Sequence, residues 1–350
     1  MRAFNYSKIK EQKWDSEILG YIAAIYKEAG KQELYLKQRP EELEHLVEIA
    51  KVQSTEASNA IEGIVTTSTR IKQLVEEKTT PRNRDEQEIA GYRDVLNLIH
   101  ENFDVIPITQ NYILQLHKIL YSHMNNPIAG RTKNVQNYIN ETRPDGTQVT
   151  RFTPVAPYET PDAVAAICDS YARTLALEVL DPLLLIPAFI CDFLCIHPFN
   201  DGNGRMSRLL TLLLLYQNGF EVGKYISVEK EIERTKDVYY DVLEGADSGW
   251  HEEKNDYTPF IRYMLQVILS CYVEFEERVG LMQESGARST AYDVVKAYAA
   301  SKVGKFSSAE AIAGCPSAGR SSVLSALKKL TDEGYLTRLK SGRNVAYVRS

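Results

Sequence analysis

The chain has 350 residues and a mass of 39.7 kDa, with 44% hydrophobic and 25% charged residues, a net charge of −6 and a pI near 5.7. That is the composition of a soluble globular protein with room for two or three domains, and it excludes fibrous and disordered classes and a polycation that coats nucleic acid. The five cysteines (Cys168, Cys191, Cys195, Cys271, Cys315) are odd in number and scattered, which reads as reduced thiols, not a disulfide framework. The opening MRAFNYSKIKEQKW has no apolar core of a secretion signal. The longest apolar run, 183–196, is interrupted by Pro187 and Asp192 and is too short to span a bilayer. These features together lead us to expect a cytoplasmic, multi-domain protein.

Apolar residues at three- and four-residue spacing predict helices over 16–28, 41–53 (opened by Pro40), 84–102 and 108–123. Between 131 and 160, alternation on either side of Pro144-Asp145-Gly146 predicts a β-hairpin, either a connector or a working surface. Two strongly apolar helices follow at 183–196 and 205–217, the second stopped by Asn218-Gly219, and then a long helix over 257–277. Residues 287–350 differ in charge, with 11 Lys/Arg against 4 Asp/Glu, which leaves 30 basic and 43 acidic residues elsewhere. Their predicted order is helix 290–301, short helix 307–313, a turn at 314–317, helix 319–333 and a hairpin turning at Ser341-Gly342. This describes a winged helix-turn-helix, with a linker around Gly286.

The segment that carries chemistry is His197-Pro198-Phe199-Asn200-Asp201-Gly202-Asn203-Gly204-Arg205-Met206-Ser207-Arg208. A helix ends at a histidine, proline stops it, and a loop with two glycines opens the next helix. Such a loop bares backbone N–H groups beside a helix N-terminus, which makes an anion site. Gly202 and Gly204 let phosphate oxygens approach the backbone. Arg205 and Arg208, three apart, can fork onto neighbouring phosphate oxygens. Asp201 is a hard oxygen ligand for Mg²⁺, and His197 titrates where it can accept a proton from a hydroxyl. Cys191, Cys195 and His197 do not have the spacing of a zinc knuckle.

This segment resembles the Fic signature, histidine-x-phenylalanine-x-acidic-Gly-Asn-Gly-Arg-x-x-Arg, at every defined position, and the resemblance spans roughly residues 50–280. It implies a mainly α Fic-type helical core with a β-hairpin flap, here followed by the winged helix-turn-helix. It also implies AMP transfer from ATP to a Ser, Thr or Tyr hydroxyl of a target protein, or of the chain itself, with Mg²⁺. By the resemblance His197 is the general base, Asp201 holds the metal, Phe199 anchors the loop in the core, and Asn203 with the amides of Gly202 and Gly204 binds the α-phosphate. Arg205 and Arg208 clamp the outer phosphates. Tyr239 and Tyr240 resemble the segment beside the adenine pocket, with Asp247 where relatives often carry asparagine. Val149, Thr150, Arg151 and Phe152 form the flap edge on which a target segment docks.

Ser58-Asn59-Ala60-Ile61-Glu62-Gly63 resembles the inhibitory-helix signature of self-inhibited Fic proteins, which implies that Glu62 pairs with Arg208 and displaces the γ-phosphate. Removal of AMP at the same site stays open, as does a homodimer. The domains expected are an N-terminal helical region over 1–105 with the inhibitory helix at about 54–63, a catalytic core over 106–280 and the winged helix over 287–350. A rival reading makes the last domain, through Arg320, Lys328, Lys329, Arg338, Lys340 and Arg343, a DNA-binding regulator, or else a protein-docking module.

Overall fold

The computed structural model describes residues 2–38, 40–142, 146–284, 291–301, 305–315, 318–341 and 344–349. Its helices are α1 (Ser16–Gln38), α2 (Pro40–Ile61), α3 (Ser68–Val75), α4 (Arg84–Asn102), α5 (Gln110–Leu120), α6 (Thr160–Ala176), α7 (Pro182–Ile196), α8 (Asn203–Gln217), α9 (Val228–Arg234), α10 (Lys236–Asp247), α11 (Thr258–Glu284), α12 (Ala291–Ser301), α13 (Ser308–Gly314) and α14 (Arg320–Asp332). The strands are β1 (Ile139–Thr142), β2 (Gln148–Phe152), β3 (Phe306–Ser307), β4 (Leu336–Ser341) and β5 (Asn344–Arg349). The mainly α fold with small hairpins agrees with the sequence reading. Helices α3, α6, α9 and α10 were not predicted, and α1, α2 and α11 run longer than expected. Among the described residues no helix is long and apolar enough to cross a membrane.

The chain divides within α11 into two compact units, 1–272 and 273–350. In the first, α7 and α8 are apolar nearly all round, and helices of that kind must be enclosed by others. They pack on each other, with α6 and α10 against α7 and with α2 and α4 against α8. Every residue of α7 except the leading Pro182 is buried, including Asp192, whose carboxylate accepts from Trp250 Nε1 at 2.7 Å and from the Tyr257 hydroxyl at 2.8 Å. Pro182 at the first turn and Asp181, which accepts the Leu183 N–H at 2.9 Å, start the helix. His197 ends it in a left-handed conformation, φ 51° and ψ 62°.

β1 and β2 form the antiparallel hairpin, with Asn140 opposite Thr150 but Ile139 opposite Phe152. The extra residue on β2 is Arg151, so the bulge turns its side chain away from the ladder. Residues 131–138, expected within the hairpin interval, form an irregular segment against the 197–203 loop. Pro144 and Asp145 of the expected turn lie outside the described residues.

In the second unit β3 and β4 flank β5, all antiparallel. Val295, Phe306, Val323, Leu327, Leu330, Leu336 and Tyr347 make its core. Ser307 and Glu310 close a reciprocal cap at the start of α13. The expected linker residue Gly286, the turn residues Pro316, Ser317 and Gly342, and Arg343 lie outside the described residues.

Candidate functional site

The α7–α8 loop is built from its own side chains. Asn203 is buried and bonds Phe199 twice, its Oδ1 accepting the Phe199 N–H at 2.9 Å and its Nδ2 donating to Phe199 O at 2.8 Å. The Phe199 ring stacks on His117, centroids 3.7 Å apart. His117 Nδ1 accepts the Gly130 N–H at 3.0 Å, so its Nε2 carries the proton and donates to Asp201 O at 3.1 Å. Burial pushes the His117 pKa down to about 4. Gly202, at φ 83°, needs the left-handed backbone that glycine adopts without strain.

His197 Nδ1 lies 3.2 Å from Leu194 O. A carbonyl only accepts, so Nδ1 carries the proton and Nε2 keeps its lone pair. Burial is the main cause that lowers the His197 pKa to about 4, and the nearby Lys133 cation acts in the same direction.

The two loop arginines part company. Arg208 donates through Nε to Ser58 Oγ at 2.8 Å, and through Nη2 to Ser58 O at 2.9 Å and Glu62 Oε1 at 2.7 Å. Glu62 lies just past the end of α2, not within a helix running to 63, and its side chain is 32% exposed. Its carboxylate rests against Gly204 so closely that a Cβ there would collide with it. Glu62 therefore sits as an internal anion at the N-terminal turn of α8.

Arg205, by contrast, is 1% exposed and faces the core, with Nη1 2.8 Å from Glu88 Oε2 and Nη2 donating to the Tyr121 hydroxyl at 2.9 Å. The residue expected to clamp phosphates thus lies beneath the loop in an ion pair with Glu88, and its Nε makes no hydrogen bond. Asn203, expected to bind the α-phosphate, uses its side-chain oxygen and one amide N–H to hold Phe199.

Asp201 is half exposed; its Oδ1 accepts the Gly202 N–H at 2.7 Å, and its Oδ2 lies 3.8 Å from Arg84. Among the described residues no group of three or more His, Cys, Asp or Glu could hold a metal ion. Asp201 is thus a lone carboxylate, which fits Mg²⁺ only as it is commonly bound, by one carboxylate with phosphate oxygens and water. Cys191 and Cys195 are buried on α7.

Tyr239 is buried against Phe260 and Tyr263, while Tyr240 is 43% exposed beside it. Asp247, expected beside the nucleotide, takes Arg151 Nη1 of the flap on both oxygens, at 3.0 and 2.8 Å. Phe152 packs on Trp250 and His251, and His251 Nε2 donates to Thr153 O at 2.8 Å, so residues 247–251 anchor the end of β2. Val149 and Thr150 remain at the strand's accessible part, with Thr150 Oγ1 donating to Asn140 Oδ1 at 3.2 Å.

Sequence reasoning missed Lys133 and Asn137, which hold the loop from the 131–138 side. Their signal was a run of polar residues in an interval read as strand.

Residues 107–215 match the Fic/DOC family. They form a Fic domain. The chain is 28% identical over 186 residues to the protein adenylyltransferase fic-1 of Caenorhabditis elegans, covering 52% of this chain and 32% of that one. It is 27% identical over 214 residues to the protein adenylyltransferase Fic of Nematostella vectensis, covering 59% and 44%. The chain thus spans less than half the length of these curated relatives. The crystal structure of a Fic family protein from Desulfovibrio desulfuricans G20 matches with a TM-score of 0.63 at 21% identity over 97% of both chains, a likeness of fold. The Fic domain includes His197, the whole loop and α8 up to Leu215, whereas Ser58, Glu62 and the α10 residues lie outside it.

Proposed function

We propose that this chain is a protein adenylyltransferase held in check by Glu62. The observation that carries the reading is the Glu62 carboxylate over Gly204 and in the Arg208 fork, an anion of the chain itself at an anion site. The target's hydroxyl oxygen attacks the α-phosphorus of ATP, a new O–P bond forms, the bond to the β-phosphate bridge breaks, and pyrophosphate leaves. The hydroxyl proton passes to His197 Nε2, which the Leu194 bond at Nδ1 keeps available. The loop amides and Arg208 supply positive potential to the phosphates once Glu62 withdraws. Asp201 would hold Mg²⁺, which neutralises phosphate charge. With Glu62 in place the outer phosphate cannot seat, and a misplaced α-phosphorus loses orders of magnitude in rate. The named relatives support the same activity class.

The test is intact mass after incubation with ATP and Mg²⁺. The Glu62→Gly chain should gain AMP-sized additions, on itself or on an added target, and Glu62→Gly with His197→Ala should gain none. Additions of phosphate size, or equal transfer with and without Glu62, would overturn the reading.

A second reading concerns the second unit. Arg320, Ser321, Ser322, Ser325, Lys328 and Lys329 share the exposed side of α14, opposite the buried Val323, Leu327 and Leu330, which supports duplex DNA binding by a winged helix. Each of Arg320→Ala and Lys328→Ala should then lower the slope of affinity against salt by about one. Affinity for duplex DNA that is independent of salt would sink it.

A further inference from the structure

The carbonyl oxygens of four consecutive residues around His197 are all taken by two residues from the segment before the hairpin. Lys133 Nζ donates to Ile196 O at 2.9 Å, and the Lys133 N–H to Pro198 O at 2.8 Å. Asn137 Nδ2 donates to Phe199 O at 3.0 Å and, at a longer 3.4 Å, to His197 O. Lys133 Nζ also donates to Asn137 Oδ1 at 2.9 Å, which ties the two together. Lys133 is only 2% exposed, and lysine is seldom buried without such partners. Its ammonium sits where α7 ends and the helix's unpaired carbonyls gather negative partial charge. The residue so gripped is in a left-handed backbone conformation, which is unfavourable for a non-glycine residue and persists only where surrounding contacts enforce it.

We infer that Lys133, with Asn137, is a positioning residue for the His197 base: the clasp holds the left-handed turn that aims the imidazole at the reacting hydroxyl. The inference rests on the proposed AMP transfer. Charge adds a second handle. The groups facing the imidazole are the Lys133 ammonium, which opposes its protonation, and the Glu62 and Asp201 carboxylates, which favour it. Burial brings Lys133 itself down to about 8, so its charge fades as pH rises past that value.

The experiment uses the full chain with Glu62→Gly as parent and adds Lys133→Met, Lys133→Arg or Asn137→Ala. Rates of AMP transfer are followed across pH, together with nucleotide affinity and the thermal unfolding midpoint. Lys133→Met should lower kcat by about tenfold or more while nucleotide affinity stays within about twofold. It should also move the acid limb of the rate profile upward by about half a pH unit, because a cation beside the base is lost. Lys133→Arg should recover most of the rate and remove any decline above about pH 8. Asn137→Ala should lower kcat without moving the acid limb, since it removes no charge.

A Lys133→Met chain with the parent's rate and acid limb overturns the inference. So does one that loses rate, nucleotide affinity and cooperative unfolding together while Asn137→Ala is silent. If the parent transfers no AMP, the proposed activity falls. The clasp is then judged by NMR titration of His197, whose pKa should rise in Lys133→Met and would leave the inference without support if unchanged.

Discussion

Arg205 and Arg208 stand one turn apart on α8, yet they serve two regions with different physics. Beneath the loop, Arg205, Glu88, Tyr121, His117 and Phe199 are buried together, with the Arg205 guanidinium 5.5 Å from the Tyr121 ring centre. Above it, Arg208 holds Ser58 and Glu62, and solvent reaches the Glu62 carboxylate as it does that of Asp201. A buried ion pair is costly to break because the partner is stranded away from water. In the upper pair water can take up the released carboxylate, and the buried Arg208 keeps its two bonds to Ser58. The same motif thus builds a fixed floor and a removable roof.

The largest expected effect falls on the floor. Arg205→Leu leaves the buried Glu88 with Arg84 as its remaining partner, which bonds it at 2.8 Å from a mostly exposed position. It should destabilise the first unit by about 3–5 kcal/mol in urea unfolding, and adding Glu88→Leu should recover much of that. No recovery in the double variant would mean that Arg205 acts through packing alone. Next in size, Asn203→Ala strands the Phe199 N–H and should cost about 1–3 kcal/mol. The roof should behave oppositely: Glu62→Gly should change stability by less than about 1 kcal/mol while raising AMP transfer. A stability loss there as large as that of Arg205→Leu would erase the distinction between the regions.

The sequence announced the loop but not this division of labour. His197 to Arg208 was legible because the parts of an anion site are contiguous, and Ser58 with Glu62 because their spacing resembles a known signature. The partners of Arg205, Asn203 and Asp247 were not legible. Three-residue spacing brings two arginines to one side of a helix, but what each long side chain meets depends on α2, α4 and α5, which are remote in sequence. Asp247 pairs with Arg151 through a bulge, and one extra residue in a strand leaves no mark on an alternation pattern. Lys133 and Asn137 were hidden for the same reason, since their partners are carbonyl groups about sixty residues on. The helices α7 and α8 were plain because their apolar character needs no partner to be recognised. Helices α9 and α10, shorter and more polar, escaped.

The smallest effect tests the floor from within. His117 is held neutral by burial, with a pKa near 4 in place of its ordinary 6.5. The unfolded chain therefore binds that proton more readily, and stability falls as pH drops from about 6.5 toward about 4. Between pH 7 and pH 6 this single group accounts for about 0.7 kcal/mol. His117→Gln abolishes the titration, so its stability should decline less over that interval than the parent's, by about that amount. His100 and His197, also lowered by burial, titrate in both chains and cancel in the difference. Equal slopes in the two chains would mean that His117 is protonated as readily in the folded loop as out of it. Its hydrogen bonds forbid this, because Nδ1 accepts from Gly130 and a second ring proton would point at that N–H.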